Sequence, residues 1–317
     1  MLFIVYLEIF LGLDIIDISK ILGGEVFQKI IGIIFISYFM ISASIMLRNF
    51  CEGLKIIYYP MTNIVFILLM FVIAVCIVNK LDFNSTLKTN LLILPLVLAS
   101  IIFLFFANIQ NFSPQRIFPI LGHGLKETFI TGLLNLSAFG GIAYLYFLPP
   151  LLKEPQKLKK ITLLSIGMTA IYLILCISAI LFMFPSFISA NEISPLYNAT
   201  RYIEFGSFFQ RLESVFLLFW MLAFACYLSI VTKFSMNIFK KITSINTKKP
   251  LIDIFGLIIF AIALLPENFA SSSEFESSIY PYLVLFIVFI LGISILILAS
   301  WKKHKTKIAN IKEVSNE

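Results

Sequence analysis

From Ile64 to Val78 the chain runs through consecutive apolar residues without interruption. Comparable runs of about 15–24 residues recur along its length, and a helix needs about 20 residues to cross a hydrocarbon core roughly 30 Å thick. Inside such a core every backbone N–H and C=O must be paired internally, which leaves only helices or a closed barrel. Barrel strands alternate polar and apolar residues over about ten positions. The run 64–78 does not alternate, so the chain is read as all-α. Composition agrees: 60% of the 317 residues are apolar, 13% are charged and the mean hydropathy is +1.00, where a soluble chain carries about 25% charge.

The expected spans are 1–13, 27–47, 62–78, 91–107, 129–148, 161–184, 212–231, 251–265 and 282–300, nine in all. They form one transmembrane bundle over 1–301, followed by a basic tail at 302–317. Loop charge orients it. Lys153, Lys157, Lys159 and Lys160 follow one span, and Lys233, Lys240, Lys241, Lys248 and Lys249 follow another. The tail carries Lys302, Lys303, Lys305, Lys307 and Lys312, while the stretch 266–280 holds Glu267, Glu274 and Glu276 and no base. Positive loops stay cytoplasmic, so the C-terminus is expected inside. The net charge of +7 is split among loops and reads as a topology signal, with no nucleic-acid surface.

Several strings along the chain carry a family likeness. They are Leu47-Arg48-Asn49-Phe50 with Glu52, Pro60-Met61-Thr62, and Phe118-Pro119-Ile120-Leu121-Gly122-His123-Gly124. Further on come Arg201-Tyr202-Ile203, Phe208-Phe209-Gln210-Arg211-Leu212-Glu213 with Trp220, and Leu264-Leu265-Pro266-Glu267-Asn268. In order and spacing these resemble the B-subunit family of spore germination receptors, permease-like proteins of the amino acid–polyamine–organocation transporter superfamily. The resemblance implies ten helices in an inverted repeat. On that numbering 1–13 is the back part of the second helix and the first is absent. The run 1–13 rises only about 20 Å at 1.5 Å per residue. The expectation is therefore that the natural protein starts about 40–50 residues upstream, the length of a span with its flanks, or that this form is only a scaffold.

The resemblance also implies a ligand site near the midplane, where unwound helices expose backbone groups. The corresponding stretch is Ser137, Ala138, Phe139, Gly140 and Gly141, with Ser42 or Ser44 as facing polar residues. Paired glycines weaken a helix by about 1 kcal/mol each relative to alanine; they also let two helices approach closely, and both accounts stay open. Many family members carry an acid where Gly141 stands, and this chain does not.

Other candidates have plainer readings. Glu8 sits in an apolar run, where a carboxylate faces a cavity, a partner or the chain end. Glu213 beside Arg211, and Asp253 near Lys248 and Lys249, read as interfacial ion pairs. Pro95 is expected to kink its helix, Pro149-Pro150 to end one, and Trp301 with Lys302 to anchor the interface. Cys51, Cys76, Cys176 and Cys226 lack Cys-x-x-Cys spacing, and His123 and His304 lie far apart, so no metal, cofactor or catalytic constellation is expected. The function implied is sensing of a small nutrient, such as an amino acid, in the spore inner membrane. The implied partners are a larger membrane subunit, a lipoprotein and the lipid bilayer. A secondary amino-acid transporter and a scaffold subunit without ligand are the alternatives.

Overall fold

The computed structural model describes residues 12–118, 124–185, 187–188, 192, 194–203, 212–245 and 249–302. Among them there is no strand. The helices are α1 Ile15–Tyr58, α2 Ile64–Asn79, α3 Phe83–Ala107, α4 Leu125–Asn135, α5 Ile142–Leu145 and α6 Leu158–Met183. After them come α7 Pro195–Arg201, α8 Leu212–Thr243, α9 Lys249–Ala263 and α10 Phe269–Lys302. Five of these, α1, α3, α6, α8 and α10, are long and apolar enough to cross a bilayer; α2 and α9 are apolar but shorter. The expected span 1–13, with Glu8, lies almost wholly outside the described residues, as do Arg211 and Lys248.

Exposure fits a bilayer solvent. The most apolar stretches of α3 and α6 are only 11% buried. Leu92, Phe106, Ile171 and Ile174 all stand more than half exposed, more apolar side chains than a water-facing helix surface carries. The chain is an all-α polytopic membrane protein.

Several helices outrun their apolar cores. α1 was expected over 27–47 but extends from Ile15 to Tyr58, because Lys20, Glu25, Arg48 and Glu52 shorten the hydropathy signal without breaking the helix. The stretch 266–280, expected as a loop, is helical from Phe269. Its start is fixed by a capping box: Asn268 Oδ1 accepts the Ser271 N–H at 2.9 Å, and Ser271 Oγ accepts the Asn268 N–H at 3.3 Å. Lys233, Lys240 and Lys241, read as loop residues, lie on α8. Pro95 sits within α3, and Asn63 caps α2 by accepting the Val65 N–H at 3.0 Å.

The chain divides into two compact units. The first gathers α1 as far as Met46, the chain from Thr131 to Leu164, and everything from Val231 onward. Its core includes Ile15, Ile16, Ile18, Phe35 and Phe39 of α1, Tyr146, and Val284, Val288 and Leu296 of α10. The second gathers 47–130 and 165–230. Its core includes Ile101 and Leu104 of α3, Ala179 and Met183 of α6, Leu196 and Ala199 of α7, and Phe216 of α8. It also holds a buried Arg48–Glu52 pair, Nη2 to Oε1 at 2.8 Å.

α1 is bent at Gly24, whose φ of 76° and ψ of −166° lie in a region essentially reserved for glycine. The bend separates Ile15–Gly23 from the rest of the helix and frees carbonyls on its near side. Lys302 Nζ takes two of them, donating to Ile21 O at 2.7 Å and Leu22 O at 3.1 Å. Gly24→Ala is expected to lower stability by about 1–3 kcal/mol, read as a lower thermal midpoint in detergent; an unchanged midpoint would mean the bend is not needed.

Candidate functional site

The expected span 129–148 is interrupted. α4 stops at Asn135, a tight turn of 3₁₀ geometry covers Leu136–Phe139, Gly140 and Gly141 form a further turn, and α5 adds four residues. Within the turn the Gly140 N–H donates to Ser137 O at 2.9 Å. Both glycines keep ordinary helical φ values of −52° and −59°, so conformational freedom does not explain them. For Gly140 the reason is space. A Cβ there would stand 3.0 Å from the Tyr38 hydroxyl, 3.1 Å from Ser137 O and 3.5 Å from Val284.

Two helices of the first unit meet this break. From α1 come Tyr38 and Ser42, four residues apart and therefore on one face; from α10 comes Tyr280. The Tyr38 hydroxyl donates to Gly140 O at 3.4 Å, the Ser42 and Tyr280 hydroxyls share a hydrogen bond at 2.8 Å, and Tyr38 also bonds Tyr280. The result is a buried chain of hydroxyls ending on the carbonyl of the broken segment. Aromatic walls hold it: Phe39 stacks on Tyr144 at 5.2 Å, and Tyr144 packs on Phe234 at 5.5 Å.

A second fastening lies below the first. Tyr146 is fully buried. Its hydroxyl donates to Val288 O at 2.6 Å, and its own carbonyl accepts the Ile15 N–H at 3.1 Å. Val288 lies within a π-helical stretch, Leu285–Leu291, where the altered register loosens the usual carbonyl pairing; such bulges concentrate at functional sites. Beyond it, Asp14 and Asp17 cap the start of α1 and both hold Lys241 Nζ, at 2.7 and 2.5 Å. Burial holds the Asp14 carboxyl above its ordinary range, with Lys241 pulling the other way.

Of the residues expected from sequence, Ser42 and Gly140 are brought together, through Tyr38 and Tyr280. Ser137 supplies the turn carbonyl. Phe139 is half-buried, and Ala138 and Gly141 are exposed. The Ser44 hydroxyl is bound to Met40 O of its own helix at 2.7 Å. Tyr38 and Tyr280 were missed. Tyr38 paired with Ser42 at helical spacing inside an apolar run was a usable signal, whereas Tyr280 was hidden in a stretch read as loop.

An interrupted helix packed between α1 and α10, inside a polytopic all-α bundle, is the architecture of the site. The chain belongs to the spore germination protein family, the spore permeases, whose model matches residues 1–272. It is 26% identical over 254 residues to spore germination protein A2 of Bacillus subtilis (strain 168), an alignment covering 77% of this chain and 67% of that one. It is 22% identical over 224 residues to spore germination protein XB of Bacillus anthracis, covering 71% of this chain and 62% of that one. The chain thus spans about two thirds of the length of these curated relatives. No solved structure matches it.

Proposed function

We propose that this chain is the permease-like subunit of a spore germinant receptor, binding a small nutrient such as an amino acid at the break over residues 136–141. The observation that carries the reading is the hydroxyl chain Ser42–Tyr280–Tyr38 ending on Gly140 O. Polar groups gathered at a helix break inside an apolar bundle mark a binding site. The receptor's larger membrane subunit and lipoprotein would read the change and start germination at the spore inner membrane. Spores lacking the chain are expected to lose germination with some of the twenty amino acids and keep it with other stimuli. An unchanged response across the whole panel would remove the sensing role.

Charge and geometry together support a reading of the topology. Asp14 and Asp17 meet Lys241, Lys302 reaches Ile21, and Ile15 joins Tyr146. These contacts gather the start of α1, the end of α8, the end of α10 and the approach to Pro149 at one end of the first unit. The lysine-rich loops leave from that end, so it is the cytoplasmic one. A cysteine at position 157 should resist an impermeant thiol reagent in intact cells and one at 267 should react. The opposite pattern would invert the assignment.

A further inference from the structure

The second unit contains a cavity of about 200 Å³ that plays no part in the site above. Three helices line it: Ala99, Ser100 and Phe103 stand on α3, Thr200 on α7, and Phe216 and Phe219 on α8. Neither hydroxyl has a proton to offer a guest. Ser100 Oγ donates to Val97 O at 2.7 Å, and Thr200 Oγ1 donates to Tyr197 O at 2.6 Å. Among the described residues no charged side chain lines the cavity. A carbonyl, carboxylate or phosphate entering it would shed its water and find no donor among these lining residues, which is unfavourable. The chemistry of the lining selects hydrocarbon.

Position and size say which hydrocarbon. The floor is fixed, because Leu104, Thr200 and Phe216 are buried among core residues. The rim is open, with Phe103 49% and Val215 51% exposed. Both stand on helices that cross the bilayer, so the opening faces lipid. Ala99 lies eight residues before the Ala107 end of α3, which is about 12 Å along the axis, below the headgroups of one leaflet. A dry cavity of about 150 Å³ accepts a benzene ring, so this one accepts a short length of chain. It cannot seat a helix, whose diameter is about 10 Å. We propose that the cavity is a binding site for one acyl chain of a membrane lipid, inserted sideways between α3 and α8.

The test uses membranes containing the full chain, supplemented with a phosphatidylglycerol that carries a diazirine midway along one acyl chain. After irradiation, adducts are mapped by peptide mass spectrometry. They are expected to concentrate on residues 96–104 and 215–219, well above those on Ile171 and Ile174 of α6, which are more exposed, at 61% and 62%. Ala99→Phe should lower the cavity adducts about tenfold, the loss of room for about two buried methylenes, and leave those on α6 unchanged. If that variant is poorly produced, Val215→Trp blocks the rim instead. Adducts spread evenly over α3 and α6 would show boundary lipid only and overturn the proposal. So would cavity adducts that persist in both variants, or cross-links from residues 96–104 to another protein in place of lipid.

Discussion

Gly292→Ala should leave little folded protein in the membrane. A Cβ at this position would stand 2.4 Å from both the Cζ and the hydroxyl of Tyr146, and 2.8 Å from Cε2. The ring has nowhere to retreat. Phe35 meets it edge-on at 6.0 Å, and its hydroxyl is tied to Val288 O. Overpacking of this kind costs about 1–3 kcal/mol, and breaking the hydrogen bond strands a buried carbonyl for about 1–3 kcal/mol more. Against a total stability of about 5–15 kcal/mol, the sum is large. The amount of monodisperse protein after mild detergent extraction measures it. Tyr146→Leu, introduced beside Gly292→Ala, removes the colliding atoms and should recover part of the lost protein. Wild-type yield from Gly292→Ala alone would mean that the two helices do not approach this closely.

Gly140→Leu should abolish the nutrient response while leaving the protein level unchanged. The backbone at Gly140 is ordinary helix, so the substitution needs no change of φ, although its Cβ would stand 3.1 Å from Ser137 O. What it does is fill the space held by the Tyr38 hydroxyl and push that hydroxyl off both Gly140 O and Tyr280. Gly140→Ala is the graded version. Its methyl needs Tyr38 to give by a few tenths of an ångström, and a weakened hydrogen bond of about 1 kcal/mol corresponds to a dose response displaced about fivefold. Tyr38→Phe should displace it in the same direction. Germination at ordinary nutrient concentrations in the leucine variant, with protein present, would take the site away from this segment.

The bundle was legible in the sequence because bilayer hydrocarbon imposes one dominant rule, and apolar runs such as 64–78 announce it. Helix ends were legible only where polarity and helix end coincide. They part company at α1, where Lys20 and Glu25 are helical, and at α10, whose first turns are written in serines and glutamates. The Ser137–Gly141 break could be located from its glycines and the family likeness. Its partners could not, because Tyr38 and Tyr280 are 242 positions apart and meet only through tertiary packing. Ser44 shows the reverse case. It sits two residues from Ser42, yet a step of two turns a helix by about 200°, so one serine joins the hydroxyl chain and the other bonds its own backbone. The Gly24 bend was also written in the sequence, as Gly23-Gly24 between an apolar stretch and Glu25, but one positive φ among paired glycines has no signature of its own.

The clamp on the first turns of α1 has a consequence for the order of synthesis. Asp14 waits for Lys241, 227 residues later, and the carbonyls of Ile21 and Leu22 wait for Lys302, as many as 281 residues later. A nascent chain leaves the ribosome from its N-terminus, so α1 is made before both of the helices that lock its first turns. Until α10 arrives, those carbonyls must rest on water or lipid headgroups at the membrane face. Closing so long a loop adds little entropic cost beyond that of a medium one, but it ties completion of the first unit to the synthesis of α10. A ribosome stalled before Lys302 leaves the carbonyls of Ile21 and Leu22, at the start of α1, unfastened.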